Sequence, residues 1–321
     1  MPRSARIVLF GEAMLELRGT AHTGIQLAYA GDTLNTAIYL SRCGQASGLH
    51  VDYSTALGDD QHSSAMLQQW QIEGLALSLV RRLPGRMPGL YMIDVNAAGE
   101  RSFSYWRGQA AARDYFNTPD ADTPLELAAD GIDVLYLSGI SLAIIGAAGR
   151  RRLLALARRL RQRGAAVVFD NNYRPRLWSD VDSARQAFAE VLGLSSIALI
   201  TLDDAMALHG GSEPQALAAT LALPCAEVVV KRGAEATLVR LAGQPPVSVA
   251  TVRVPKVVDT TAAGDSFAGA YLAARFSGAS AEMAAQAGNA LAARVVQHAG
   301  AVIPAPAMAD LVAWPGGQTH G

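Results

Sequence analysis

The stretch Asp259-Thr-Thr-Ala-Ala-Gly-Asp-Ser-Phe267 constrains this chain more than any other. The β-branched approach of Val252, Val254, Val257 and Val258 predicts a strand. Behind the small-residue turn, Phe267, Ala270, Tyr271 and Ala274 recur at helical spacing. A tight turn therefore opens directly into a helix. The first backbone N–H groups of a helix have no partner within it, and the helix dipole adds positive potential there. Small side chains let an anion come close to that backbone, so the turn predicts an anion cradle. Asp265 stands at its mouth. Its carboxylate could cap the helix, or it could take a proton from a hydroxyl that attacks a phosphorus atom held by the same amides.

A chain of 321 residues, half of them apolar and 17% charged, can bury a large core, either as one big α/β domain or as a domain with an appendage. Lys plus Arg number 27 against 28 Asp plus Glu, so no global field favours nucleic acid or an anionic membrane. Only Lys231 and Lys256 are lysines, a skew toward arginine that weakens the meaning of any single Arg. Cys43 and Cys225 are too few for a disulfide framework or a Cys-rich metal site and read as small apolar residues. No apolar run reaches membrane-spanning length and the start lacks a signal peptide's apolar core, so a reducing, cytoplasmic setting is the expectation.

Along the chain, residues 6–11 predict a buried first strand ending in Gly, and residues 17–30 predict short strands. A helix begins near Gly31, with Asp32 or Thr33 as candidate cap and Leu34, Ile38 and Leu40 on its apolar side. Residues 51–57 predict a strand and 63–74 a helix. Residues 88–95, a turn at 96–99 and residues 101–107 predict a β-hairpin. In its second arm Phe103, Tyr105 and Arg107 share one face, and Ser102, Ser104 and Trp106 the other. From Asp133 strands and helices alternate, with strands at 134–137, 165–169, 198–202, 227–233 and 236–239, and helices at about 145–163 and 281–298. The cluster Asp170-Asn-Asn-Tyr-Arg174 follows a strand's C-terminus, where open α/β sheets place ligands. Only the end from about Gly316 reads as loose.

The 259–267 motif strongly resembles the C-terminal signature of the ribokinase-like (PfkB) carbohydrate kinases, and Ala30-Gly-Asp-Thr-Leu-Asn35 resembles their N-terminal signature. The resemblance implies a three-layer α/β/α core with a mostly parallel sheet, spanning 1–321 as one domain. A small β-sheet lid would be inserted from about 17–30 and 88–110. It implies Asp265 as catalytic base, with the amides of Ala262, Ala263 and Gly264 in the anion hole. Ala262 stands where many members carry Gly, which argues against a positive φ there. More narrowly, Pro88-Gly-Leu-Tyr91, Tyr105-Trp-Arg107 and Tyr136-Leu-Ser-Gly-Ile-Ser-Leu142 look like the 2-keto-3-deoxygluconate kinases. That likeness implies Gly31, Asp32, Asn35, Tyr91, Tyr105, Arg107 and Arg174 as contacts to a sugar acid. It also implies Asn172, Lys231, Gly233, Ala262, Gly264 and Asn289 around ATP. Mg²⁺ is implied as well, and K⁺ is left open. The family's Asn-x-x-Glu, whose Glu organises Mg²⁺, is here Asp203-Asp-Ala-Met206, so Asp203 or Asp204 would have to serve and the metal site is undefined.

The implied reaction is ATP-dependent phosphorylation of 2-keto-3-deoxygluconate at O6, in a homodimer or higher oligomer paired through the lids. Two other readings stand beside it. One is a fructokinase- or ribokinase-type enzyme of the same family, which Arg107 and Arg174 argue against, since two cations are wasted on a neutral sugar. The other is a non-catalytic sugar or nucleotide sensor on the same fold, favoured only by Met206. A dehydrogenase lacks its Gly-x-Gly-x-x-Gly after the first strand.

Overall fold

The computed structural model describes residues 5–20, 24–95, 101–118 and 121–312. The expected turn at 96–99 and the loose end from Gly316 lie outside them. The strands are β1 (Arg6–Phe10), β2 (Met14–Thr20), β3 (Gly24–Ala30), β4 (His50–Ser54), β5 (Ala56–Leu57), β6 (Arg81–Arg82), β7 (Gly89–Val95) and β8 (Arg101–Trp106). They continue with β9 (Val134–Ser138), β10 (Ala166–Asp170), β11 (Ile197–Thr201), β12 (Glu227–Lys231), β13 (Thr237–Leu241) and β14 (Val247–Val249).

Eight of these form one sheet in the order β14-β13-β12-β11-β10-β9-β1-β4. The six from β12 to β4 are parallel, and β13 and β14 add antiparallel strands at one edge. The parallel strands are near-continuous apolar runs because helices cover both faces. Val8, Phe10, Leu135, Leu137, Val167 and Phe169 pack one way, against helices that include Gly146–Gln162 and Val181–Leu192. Ile7, Leu9, Tyr136, Val168, Leu199 and Val229 pack the other way, against helices Asp32–Gly44, Gln61–Ile72, Ala263–Phe276 and Ala281–Val295. The three-layer α/β/α core expected from the sequence is therefore present.

A second sheet, β3-β2-β7-β8, stands apart as the lid. It is built from the two stretches expected, with β7 and β8 antiparallel as the predicted hairpin. Tyr91 lies opposite Tyr105 and Ile93 opposite Phe103, so the aromatic face read from the period-two pattern is real. Tyr91 and Ile93 pack with Met14, Ala30 and Ala301, and Ala262 abuts this cluster. The aromatic face of the lid thus comes down onto the small-residue turn.

Two local expectations fail. Residues 250–260, including Val252, Val254, Val257 and Val258, form no strand. Asn289 Nδ2 takes the carbonyl of Ala250 at 3.1 Å just after β14, Pro255 has no N–H to give a ladder, and the N–H groups of Val258 and Asp259 both turn to the Val296 carbonyl. Neither Asp32 nor Thr33 caps the helix Asp32–Gly44. Its N-cap is Gly31, with no side-chain cap bond, and Asp32 is spent elsewhere.

Candidate active site

In the large sheet β1 lies between β4 and β9, and the chain that passes from β1 to β4 on one side later crosses back to lay β9 on the other. This is a topological switch point, where the crevice beyond the strand ends receives ligands in open α/β sheets. The C-terminal ends of β1, β9, β10, β11 and β12 deliver Glu12, Ser138, Asp170 to Asn172, Thr201 and Lys231 to that crevice. Burial of these polar groups forces them to pair.

The turn at 259–265 closes the crevice. Ala262 is the N-cap of Ala263–Phe276 and adopts the left-handed conformation, φ 59° and ψ 16°. The expectation that its Cβ would forbid a positive φ is wrong. The Ala262 carbonyl accepts the helix's first bond, from Ser266 N at 2.8 Å, and the helix behind it is buried from Ser266 to Ala274. That packing outweighs the ~1–2 kcal/mol an alanine loses in this region. The Ala263 N–H is drawn to Thr260 O at 3.2 Å, which leaves the amides of Gly264 and Asp265 as the helix-end donors of the cradle.

Asp265 does not cap the helix. Its Oδ2 accepts a hydrogen bond from Asn35 Nδ2 at 2.8 Å, and Asn35 is buried with its Oδ1 unpartnered. Burial, and then the charge of Asp32, push its carboxyl up to about 8 against the Asn35 hydrogen bond, with Asp170 adding a smaller push and Lys231 a smaller pull. Asp32 accepts from Asn172 Nδ2 at 2.7 Å, and burial raises its carboxyl too. Asn172 holds φ 22°, a strained value, while Asn171 is clamped to both the N–H and the carbonyl of Thr201 at 2.9 Å. Lys231 Nζ lies 2.7 Å from Asp170 Oδ2. A Cβ placed on Gly264 would come within 3.4 Å of the same ammonium, so Lys231 stands beside the cradle. Asp265, Gly264, Asn35, Asp32, Asn172 and Lys231 are therefore brought together in the crevice.

The lid residues are present but already partnered. Tyr91 donates to Glu16, and Arg18 also pairs with Glu16. Arg107 is turned inward onto Glu12, its guanidinium over the Tyr105 ring at 5.8 Å, while Tyr105 stays half-exposed. Arg174 is half-exposed and meets Asp204 at 3.2 Å. Asp204 also accepts from Tyr173 N at 3.1 Å and faces the cleft, whereas Asp203 points to solvent. Gly31 leaves no room for a side chain, since a Cβ there would stand 2.2 Å from the Glu12 carbonyl oxygen. Gly233 follows β12 in an exposed turn at φ 61°. The amide of Asn289 is committed to Thr237 Oγ1 and to the carbonyls of Val249 and Ala250. It shapes this corner rather than offering a free donor, while Val252, Val257 and Val258 remain exposed on the segment it turns.

Sequence reasoning missed Glu12 and Glu16 as site residues and marked Asp170 only as part of the ligand-facing cluster after β10. Glu12 and Asp170 each sit at the end of a buried parallel strand, a position that marks ligand-facing groups and was legible. Glu16 becomes informative only once Tyr91 is known to lie opposite it, a register no local pattern gives.

A family model described as pfkB family carbohydrate kinase matches residues 4–308. The chain belongs to the pfkB carbohydrate kinase family. It is 47% identical over 305 residues to the 2-dehydro-3-deoxygluconokinase of Dickeya dadantii, covering 94% of this chain and 98% of that one. To the enzyme of the same name from Escherichia coli K12 it is 45% identical over 308 residues, covering 95% and 99%. Among solved structures, the aminoimidazole riboside kinase of Salmonella enterica, complexed with aminoimidazole riboside and an ATP analogue, superposes with a TM-score of 0.79 at 24% identity, covering 95% and 98%. Within a pfkB kinase, a carboxyl beside bare helix-end amides is chemistry suited to deprotonating a sugar hydroxyl and steadying a transferring phosphoryl group.

Among the described residues no helix is long and apolar enough to cross a membrane. Nor does any group of three or more His, Cys, Asp or Glu among them form a metal cage. Asp170 and Asp204 offer hard oxygen donors at the cleft, which fits a Mg²⁺ held mainly by phosphate oxygens and water.

Proposed function

We propose that the protein transfers the γ-phosphoryl group of ATP to the primary hydroxyl, O6, of 2-keto-3-deoxygluconate (2-dehydro-3-deoxygluconate). The observation that carries the reading is the meeting of the Asp265 carboxyl with the helix-end amides under a lid that bears an inward-facing guanidinium. The identity to enzymes of this name supports the same substrate.

Asp265 accepts the hydroxyl proton as the oxygen bonds to phosphorus and the bond to the departing ADP breaks. Asn35, donating to Oδ2, leaves Oδ1 of Asp265 for that proton and offers its own unpartnered Oδ1 to the sugar. The amides of Gly264 and Asp265 take up charge on the transferring oxygens, with Lys231 beside them. Asp32 and Asn172 form the floor between sugar and phosphate. Tyr91, Tyr105 and Arg107 cover the substrate from the lid, and Arg107 and Arg174 take its carboxylate. Water is excluded beneath the aromatic face, which limits transfer to water. When bound, Mg²⁺ neutralises phosphate charge, and Asp170 and Asp204 would hold it through water.

The molecule is one ribokinase-like unit, and its outer lid face is the surface for a second copy. Ile25, Leu27 and Trp106 are 55%, 45% and 61% exposed on the face opposite the aromatic trio. The edge strands β3 and β8 have no outer partner strand among the described residues. Light scattering tests this pairing, which predicts a dimer or higher assembly; a monomer at micromolar concentration contradicts it.

A coupled ADP-release assay over a panel of keto sugar acids and neutral sugars tests the activity. Turnover of 2-keto-3-deoxygluconate with kcat/KM well above that for fructose or ribose is expected. Better turnover of fructose would overturn the substrate, and no ADP release with any sugar would overturn the kinase.

A further inference from the structure

We infer that Glu12 is a positioning residue for Arg107: rooted at the end of β1, it draws the lid's guanidinium down to the core and keeps its remaining donors open to a substrate carboxylate. The inference rests on the assignment of Arg107 to that carboxylate made above.

The pair is unusual for a structural ion pair. The Glu12 side chain is 1% exposed and that of Arg107 11% exposed. A buried Arg–carboxylate pair normally closes two parallel hydrogen bonds, because each unsatisfied group is costly. Here Glu12 Oε2 accepts from Arg107 Nη2, while Arg107 Nε and Glu12 Oε1 are both buried without a partner. The guanidinium is held by one corner, and its Nε–H is left without a partner. A carboxylate entering from the sugar side would satisfy it.

The seat of Glu12 is carved on both sides. A Cβ on Gly31 would stand 2.2 Å from the Glu12 carbonyl oxygen, and a Cβ on Gly89 would stand 2.7 Å from Oε1. Gly89 opens β7, and Arg107 directly follows β8. Both arms of the hairpin therefore meet Glu12, which ties the lid's position to the first strand of the core. Glu12 also gives Arg107 an anion nearer than the site's own carboxylates. Without it, the guanidinium would lose the anion that anchors it to the core.

Arg107→Ala, Glu12→Ala, Glu12→Gln and the double variant Glu12→Ala/Arg107→Ala separate the possibilities in the ADP-release assay. Arg107→Ala is expected to raise KM for the keto acid ~10-fold or more. Glu12→Ala is expected to raise the same KM by a similar factor, with KM for ATP moving less than ~2-fold. Glu12→Gln keeps an acceptor oxygen for Nη2 and restores most of the loss, and the double variant is no worse than Arg107→Ala alone. Glu12→Asp, which withdraws the oxygen by one methylene while keeping the charge, carries the same expectation if Glu12→Ala does not fold. If Arg107→Ala leaves the keto-acid KM unchanged, the assignment of Arg107 falls. If Arg107→Ala raises it but the Glu12 variants do not, or raise KM for ATP equally, the positioning role of Glu12 falls.

Discussion

Asn35 Nδ2 donates to Asp265 Oδ2 at 2.8 Å, so the two signature motifs of the chain, at its two ends, meet in one hydrogen bond at the reacting carboxyl. The bond favours the ionised form and works against the burial that pushes Asp265 up to about 8. The acid limb of kcat/KM, which reports the free enzyme, should therefore rise through roughly pH 8 rather than the usual carboxylate range. Asn35→Ala removes the donor and should move that limb to still higher pH, with a loss of ~10-fold or more at pH 7 that narrows as pH rises. A limb that stays put in the variant would show that Asn35 does not act on the base.

The same shift has a consequence for stability. Asp265 binds its proton more tightly in the folded chain, at about 8, than an ordinary aspartate does in the unfolded chain, at about 4. Its contribution to stability is thus fully present below about pH 4 and fades as pH rises to about 8. Asn has the shape of the protonated carboxyl and does not titrate. The Tm of Asp265→Asn should match that of the parent near pH 4 and exceed it by several degrees at pH 8.5. Equal Tm values across this range in thermal melts would contradict the partly buried, charge-crowded setting of the carboxyl.

Ala262 is strained at φ 59°. Ala262→Gly relieves ~1–2 kcal/mol of local conflict and loses part of that to the greater freedom of the unfolded chain. A net gain of up to ~1 kcal/mol is expected, read as a Tm higher by ~2–4 °C, with turnover retained. A lower Tm would mean that the alanine methyl contributes more by packing against the lid cluster than it costs in the turn.

Arg174 is half-exposed and its pair with Asp204 spans 3.2 Å, so it contributes little to the fold. Arg174→Ala should leave Tm within ~1–2 °C while raising KM for the sugar acid ~10-fold, with neutral sugars unaffected. An equal effect on charged and neutral sugars would remove Arg174 from carboxylate recognition.

Much of this was legible because the residues involved are set by local physics. Apolar runs ending in Gly11, Asp170 and Lys231 can only be buried parallel strands, and such strand ends are where ligands sit. The alternation in Arg101–Trp106 fixed which lid face carries aromatics. What failed was non-local. Val252 to Val258 have strand-forming side chains, but the N–H groups of Val258 and Asp259 are taken by the carbonyl of Val296, far along the chain. Ala262 takes a conformation that its own side chain disfavours because the helix behind it is locked by packing. Asp32 carries a capping residue's chemistry but faces Asn172 across the crevice, a pairing that only the fold creates. Glu16 reveals itself through Tyr91, which reaches it only after the lid sheet forms.

The central claim is that one carboxyl, set beside bare helix-end amides, takes the proton during phosphoryl transfer. Single-turnover kinetics of Asp265→Asn, with calorimetric binding of the keto acid and of ATP on the same protein, tests it most directly. The account predicts affinities within a few-fold of the parent and a transfer rate lower by ~10²–10⁴-fold or more. A variant that binds both ligands and transfers phosphate at near the parent rate would contradict it.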